Sequence, residues 1–361
     1  MTERPPSGQA VTILDVARLA NVSRATASRA LGDYGRIGAE TRQRVLAAAE
    51  QLRYRPNELA RAMRAGKTLT IGLVVAEIGN TFHDAATRAI VDTAAEVGYQ
   101  VLVANTNERP DAERQAVRVL IEKRVDGLIV IPCSSTGNDH LLSDDHPITP
   151  MVLLDRRLPG VPIGSVTTDD RSGSADAVRH LLARGHRDIG ALIGSQRVDR
   201  IATTPSASVI STGLDRAGGV TDALLEAGLP PRPDLVRYSP PDREMLVAAA
   251  SELLALPRPP TAVVTSNTDV ALAVAEACRG RGVGLGVDLS LVSFDDAPWA
   301  ALFTPALSVL ARPVYELGRA AVELLVERIA DPGAAPRSVT LPTTLIDRAS
   351  VATLAPPVSR Y

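Results

Sequence analysis

The sequence predicts a small all-α head joined to a larger α/β body of two lobes, and three observations carry this. Charge is divided: the 361 residues have a net charge of −2, yet residues 1–67 hold twelve Arg or Lys against six acids, a balance of +6. The other 294 residues hold 27 bases and 35 acids, a balance of −8. Apolar residues near the N-terminus recur at helical spacing in short segments, whereas from Leu69 onward strand-like and helix-like segments alternate. A chain this long exceeds what one core serves. At 45% hydrophobic and 22% charged it is neither wholly disordered nor fibrous, and with 3% aromatics its core is built from Ala, Val, Leu and Ile. Cys133 and Cys278 form no CxxC pair, which argues against a disulfide framework or cysteine zinc site and for a reducing cytoplasm. The first apolar stretch, 11–20, is interrupted by Asp15 and Arg18, so it does not read as a signal peptide. No uncharged run of 18 apolar residues suits a bilayer, so no membrane partner is expected.

In the head, Thr12 and Asp15 suit a helix start, and Ile13, Val16, Ala17 and Ala20 form its apolar stripe. Asn21-Val22 breaks it, and Ser23 caps a second short helix to about Leu31. Ala27, Ala30 and Leu31 face inward there, Ala25, Ser28 and Arg29 share the other face, and Arg24 lies in the first turn. Two short helices across a three-residue turn make a helix-turn-helix, whose second helix offers its N-terminal residues to major-groove base edges. A third helix, about Ala39 to Leu52, closes a small core with Val45, Leu46 and Ala49. Pro56 disfavours helix at Arg55, and Asn57 caps a short segment, Glu58 to Ala65, that stops at Gly66 and is too short to be stable alone.

VTILDVARLANVSRATASRAL followed by ETRQRVLAAAEQLRYRPNELARAMRAG resembles the DNA-binding head of the lactose/galactose-repressor family at more than twenty positions. Departures such as Ala27 for Val and Gly38 for a capping Ser lie off the base-reading face. The resemblance implies that Ser23, Thr26, Ser28 and Asn57 grip phosphates and that Arg24, Ala25 and Arg29 read bases. It makes 57–68 a hinge that folds on double-stranded operator DNA, with Ala60 and Met63 facing the DNA and Met63 where the family wedges a Leu into the minor groove.

In the body, TIGLVVAEI (70–78) reads as a buried strand, Asp84 to Val97 as a helix and YQVLVANT (99–106) as a strand. Asp111 to Arg124 reads as a helix and DGLIVIP (126–132) as a strand. PMVLLD (150–155) and SVTTDD (165–170) follow, then a helix to about Arg184 and the strand RDIGALIG (187–194). Helices near 215–227 and 243–255 precede the strand TAVVTSN (261–267), the helix 268–281, the strand LSLVSFDD (289–296) and a helix from Pro313 to Ile329. This rhythm means parallel sheets covered by helices, whose ligands bind at the carboxyl ends of strands. Asp155, Asn267 and Asp295-Asp296 stand at three such ends; each alone also suits an ordinary βα turn or N-cap.

The segments LLDRR, TSNTDVALA and SFDDAPWAALFTPALSVLARPVYELGRAAVELL resemble the same family's effector-binding body, which is periplasmic-binding-protein-like. The resemblance implies that Asp155, Asn267 and Asp295 clamp a small molecule between the lobes, with Phe82 supplying the first loop's aromatic group. Where the family has R-x-R-x-x-G-F with an effector-gripping Arg, Leu214 stands at that Arg and Val220 at the aromatic, after a long 195–212 loop. These departures predict a pocket with a more apolar far side and a less polar or cationic effector, such as a deoxysugar, glycoside or nucleoside. Alternatively Arg197 or Arg200 swings into the vacant place.

No HExxH, GxSxG or Walker A motif occurs, and the five histidines form no metal-ligand pair, so no enzyme, cofactor or metal is expected. Gly282, Gly284 and Gly286 follow a helix instead of a strand, the wrong context for a dinucleotide loop. The expected organisation is a helix-turn-helix at 10–56, the hinge and linker at 57–68, an effector-binding and dimerisation body at 69–350 and a tail at 351–361. The expected function is a dimeric, cytoplasmic, effector-controlled repressor on a pseudo-palindromic operator. The alternatives are a transporter's solute-binding protein, which would share only the body, and a sugar kinase or other enzyme.

Overall fold

The computed structural model describes residues 11–32, 35–54, 67–142, 149–195, 198–206 and 209–354. The chain divides into two units, 1–69 and 70–361. In the first, α1 (Ile13–Leu19), α2 (Arg24–Gly32) and α3 (Ala39–Gln51) enclose Val16, Ala17, Ala20, Ala27, Ala30, Val45, Ala48 and Ala49. The Asp15 carboxylate accepts from both the Thr12 hydroxyl (2.7 Å) and its backbone N–H (2.9 Å), which fixes the start of α1. Asn21 takes φ 52° in the turn, a conformation Asn tolerates well. Leu46, expected inside, is 48% exposed, and Ala48 takes its place: on α3 the inward face falls at 45, 48 and 49.

The second unit has two six-stranded sheets. One runs β11-β5-β4-β3-β1-β2, all parallel, from β1 (Thr70–Val75), β2 (Gln100–Asn105), β3 (Gly127–Val130), β4 (Met151–Leu154), β5 (Gly164–Thr168) and β11 (Val339–Leu341). The other runs β12-β10-β9-β8-β6-β7, from β6 (Ile189–Gly194), β7 (Val236–Ser239), β8 (Ala262–Thr265), β9 (Ser290–Phe294), β10 (Ser308–Ala311) and β12 (Thr344–Ile346). Only the β10–β12 pair is antiparallel. Helices α4 (Thr81–Glu96), α5 (Pro110–Glu122) and α10 (Val314–Ala330) pack on the first sheet. Helices α6 (Asp170–Ala183), α7 (Ser211–Glu226), α8 (Arg243–Leu254) and α9 (Thr268–Arg281) pack on the second.

Polar caps set where three of these helices begin. The Asn80 side chain accepts from the N–H groups of Phe82 (3.1 Å) and His83 (3.3 Å), so α4 starts ahead of the expected Asp84 and carries Phe82 in its first turn. Asp242 caps α8 and Asn267 caps α9 in the same way. Helix α10 lies close on α4 because Gly318 faces Ala89; a Cβ there would stand 2.6 Å from the alanine's.

The chain passes between the sheets three times, from β5 to α6, from β10 to α10 and from β11 to β12. Two crossings are tied together: the Asp169 N–H donates to the Leu341 carbonyl (3.1 Å), and the Thr343 N–H donates to the Asp169 carboxylate (2.7 Å). The carboxyl ends of the central strands of both lobes face one interlobe cleft.

Candidate functional site

In the first unit, the N–H of Thr26 donates to the Ser23 hydroxyl (3.0 Å), which caps α2, and the two hydroxyls lie 2.9 Å apart. Arg24, Ala25 and Arg29 are exposed, but Ser28, expected on their face, is only 9% exposed and points inward beside Ala27. Asn57, Ala60 and Met63 lie outside the described residues.

In the second unit, a cleft of about 90 Å³ between the lobes is lined by Phe82, Asp155, Asn267 and Asp295, four of the five residues expected there. Asp155 follows β4 in one lobe and Asp295 follows β9 in the other; both take left-handed backbone, φ 67° and 72°. That conformation is uncommon outside glycine, and Asp accepts it more readily than most side chains. Asn267 does both things its position suggested: its side-chain oxygen accepts from the Val270 N–H (3.0 Å) as the cap of α9, while the residue lines the cleft.

Leu214 does not line the cleft and is 38% exposed on α7. Two positions along a helix are 200° apart, so a helix that turns residue 216 into the cleft turns 214 away from it. Arg216 therefore lines the cleft in place of Leu214, in an Arg-Ala-Gly-Gly segment that keeps the R-x-x-G spacing. The expected apolar far side is overturned with it. Val220 is buried in the core among α6, α7 and the second sheet, and Arg200 is exposed outside the cleft. Arg197 lies outside the described residues.

Three buried guanidinium groups set the electrostatics. Arg156 forms a two-pronged pair with Glu108 and donates to the Pro132 carbonyl (2.7 Å). Arg216 pairs with Asp170, donates to the Ser266 carbonyl and lies 4.1 Å over the Phe294 ring. Arg312 donates to Asp155 (2.5 Å) and Asp295 (2.7 Å) while its guanidinium lies 3.5 Å over the Phe82 ring. Nε of Arg156 and Nη2 of Arg216 make no well-aligned hydrogen bond but each lies against a carboxylate, Asp155 at 3.5 Å and Asp170 at 2.8 Å.

These charges displace the acids in opposite directions. Burial pushes the Asp155 carboxyl up, but the guanidinium groups of Arg312, Arg156 and Arg216 outweigh it and hold the group below the usual carboxylate range. Burial wins at Asp170, raising it despite Arg216. Glu77 is raised by burial and by Glu108 and Asp269. His83 is lowered by burial and by Arg156, and its Nδ1 lies 3.1 Å from the Glu77 carbonyl. At the cleft mouth the lobes are joined by the Arg157–Asp215 ion pair, by the Arg157 N–H on the Ser211 hydroxyl (3.0 Å) and by the Ser135 hydroxyl on the Val209 carbonyl (2.8 Å).

Sequence reasoning missed Arg156, Arg216 and Arg312. Arg156 stood beside Asp155 in LLDRR, and Arg312 stands at the end of β10 as Asp155 and Asp295 stand at theirs, so the strand-end signal was available for both.

A two-lobed parallel-sheet body with a polar cleft, joined to a helix-turn-helix unit, defines a ligand-responsive DNA-binding regulator. Residues 12–57 match the model for bacterial regulatory proteins of the lacI family, and residues 178–351 match a periplasmic binding protein-like domain. The HTH-type transcriptional regulator GalR of Salmonella typhimurium is 35% identical over 313 residues, 87% of this chain and 88% of that one. The HTH-type transcriptional repressor PurR of Photobacterium profundum is 31% identical over 94% of this chain and 98% of its own. A lac repressor dimer bound to operator and the anti-inducer ONPF superposes with a TM-score of 0.81 at 25% identity, covering 95% of this chain and all of that one. This chain belongs to the lacI family of bacterial transcriptional regulators.

Proposed function

We propose that two copies of this chain bind a pseudo-palindromic operator and that a small hydroxylated ligand in the interlobe cleft controls the affinity. The observation that carries this reading is the presence in one chain of a capped, arginine-bearing second helix and an interlobe cleft lined by buried arginines and carboxylates. Arg24, Ala25 and Arg29 read base edges in the major groove, with Ser23 and Thr26 on phosphates. Ser28 belongs to the packing of the head, and Asn57, Ala60 and Met63 act from the hinge. The functional modules run 10–56, 57–68 and 69–350, with the tail at 351–361, and the protein works in the cytoplasm.

The guanidinium groups of Arg156 and Arg216 at the cleft favour a ligand with acceptor oxygens, and Glu77 and Asn267, which also line it, favour one that donates as well. A sugar or glycoside meets both demands. Relatives of matching fold were solved with such molecules, among them a lac repressor with ONPG and the regulator CelR with cellobiose. The deciding experiment is footprinting on the DNA upstream of the protein's own gene, with and without ligands found by thermal shift. A protected inverted repeat whose protection changes with ligand supports the proposal; uniform protection of all sequences overturns it.

A further inference from the structure

We propose that Arg312 is a specificity-determining residue of the cleft: a tethered guanidinium that occupies the seat formed by Phe82, Asp155 and Asp295, which a ligand enters only by displacing it. The proposal deepens the reading of the cleft as a ligand site and rests on it. The seat has an aromatic face 3.5 Å below the guanidinium and a carboxylate on each side, Asp155 at 2.5 Å and Asp295 at 2.7 Å. An aromatic ring flanked by carboxylates is the chemistry that recognises a flat cation. Here the cation belongs to the protein itself, and only 3% of its side chain is exposed.

Asp155 and Asp295 belong to different lobes, and Arg312 lies on a crossing strand, between β10 and α10. The guanidinium therefore bridges two carboxylates that would otherwise face each other across the cleft, and its removal favours opening. Two ligand classes are thereby separated. A flat cation, such as a guanidine or amidine, competes with Arg312 for its seat. A neutral polyol cannot replace the charge and is confined to the rest of the cleft, lined by Glu77, Arg156, Arg216 and Asn267.

The test measures the interlobe distance in the full chain by pulsed dipolar spectroscopy. Spin labels go on Lys123→Cys and Glu244→Cys, both exposed and one on each lobe; the native Cys133 and Cys278 are buried. Arg312→Ala is expected to shift the distances longer and broaden them. Millimolar methylguanidinium should restore the wild-type distribution and raise the melting temperature of the variant by several degrees, where equimolar NaCl does neither and wild type does not respond. Asp295→Asn, nearly isosteric, should open the cleft without rescue. Wild-type distances in Arg312→Ala, or an opening that methylguanidinium does not reverse, overturn the proposal. If Arg312→Ala does not fold, Arg312→Gln and Asp295→Asn decide, and unchanged distances in both overturn it. None of these readings uses DNA, so failure of the operator footprint would leave them standing, and their failure would leave the footprint standing.

Discussion

Arginine has opposite surroundings in the two units. Arg24 and Arg29 stand in solvent on α2, free to meet an anion or a base edge, whereas Arg156, Arg216 and Arg312 are buried against carboxylates. Arg24→Ala is predicted to weaken specific operator binding by about 1–3 kcal/mol and to relax preference at one base pair per half-site. Gel-shift titration against half-site variants checks this, and an equal loss on every sequence would make Arg24 a phosphate contact instead. His83 gives a prediction in pH. Its folded pKa is pushed below the ordinary 6.5, by burial first and Arg156 second, so the unfolded chain takes up a proton before the folded one does. Stability tied to His83 is therefore complete above 6.5 and is lost as pH falls from there toward the lowered value. His186, lowered by burial, adds to the same slope. The melting temperature should fall between neutral pH and mild acid, and His83→Gln should flatten the fall; an unchanged slope would remove His83 from the account. The residue scale is also where the sequence was hardest to read. Leu214 and Arg216 differ by two positions, and only the orientation of α7 decides which enters the cleft.

Elements were legible by the length of their apolar runs more than by burial: β2, with no buried residue, was read, whereas β10, buried at three of its four positions, was not. Strands β1, β3, β8 and β9 are apolar runs buried along most of their length, and each stood out between turn residues. Strands β7, β10, β11 and β12 escaped notice because they are only three or four residues long, and all but β10 lie at sheet edges. β7 is interrupted by Arg237, and neither β11 nor β12 has a fully buried residue. Such strands exist because a neighbour offers free backbone groups, and the sequence of the strand itself does not record that. One helix start moved for a similar reason: the cap at Asn80 is visible as a residue type, but which polar residue becomes the cap depends on where the preceding strand ends. The contact between α4 and α10 yields an element-scale prediction. Gly318→Val places branched carbon against Ala89 and the Ala86 carbonyl, where even a Cβ is too close. It should cost about 1–3 kcal/mol of overpacking, read by chemical denaturation. A loss near zero would mean that the two helices separate freely.

At the scale of the whole molecule, the proposed pair of heads, related by a two-fold axis, would have to meet half-sites on the same face of the duplex. Insertion of about five base pairs between the half-sites, close to half a helical turn, should therefore abolish simultaneous engagement. Gel shifts should then show affinity falling to that of one head alone. Retained affinity would show that the heads are joined flexibly enough to ignore phase.

The three crossings between the sheets also bear on how the chain is made. The first lobe takes α10 and β11 from beyond residue 313, after nearly all of the second lobe has been synthesised, and β12 completes the second sheet immediately afterwards. On the ribosome the first lobe thus cannot close when its own early strands emerge. The apolar faces of α4, β3 and β4 that α10 covers, including Ala86, Ile90, Ile129 and Val152, stay bare until residues 314–330 have emerged. The two lobes should therefore gain native structure together at the end of synthesis and not in N-to-C order. A ribosome-stalled chain ending at residue 312 should remain protease-sensitive throughout both lobes, whereas one that has exposed residue 354 should resist.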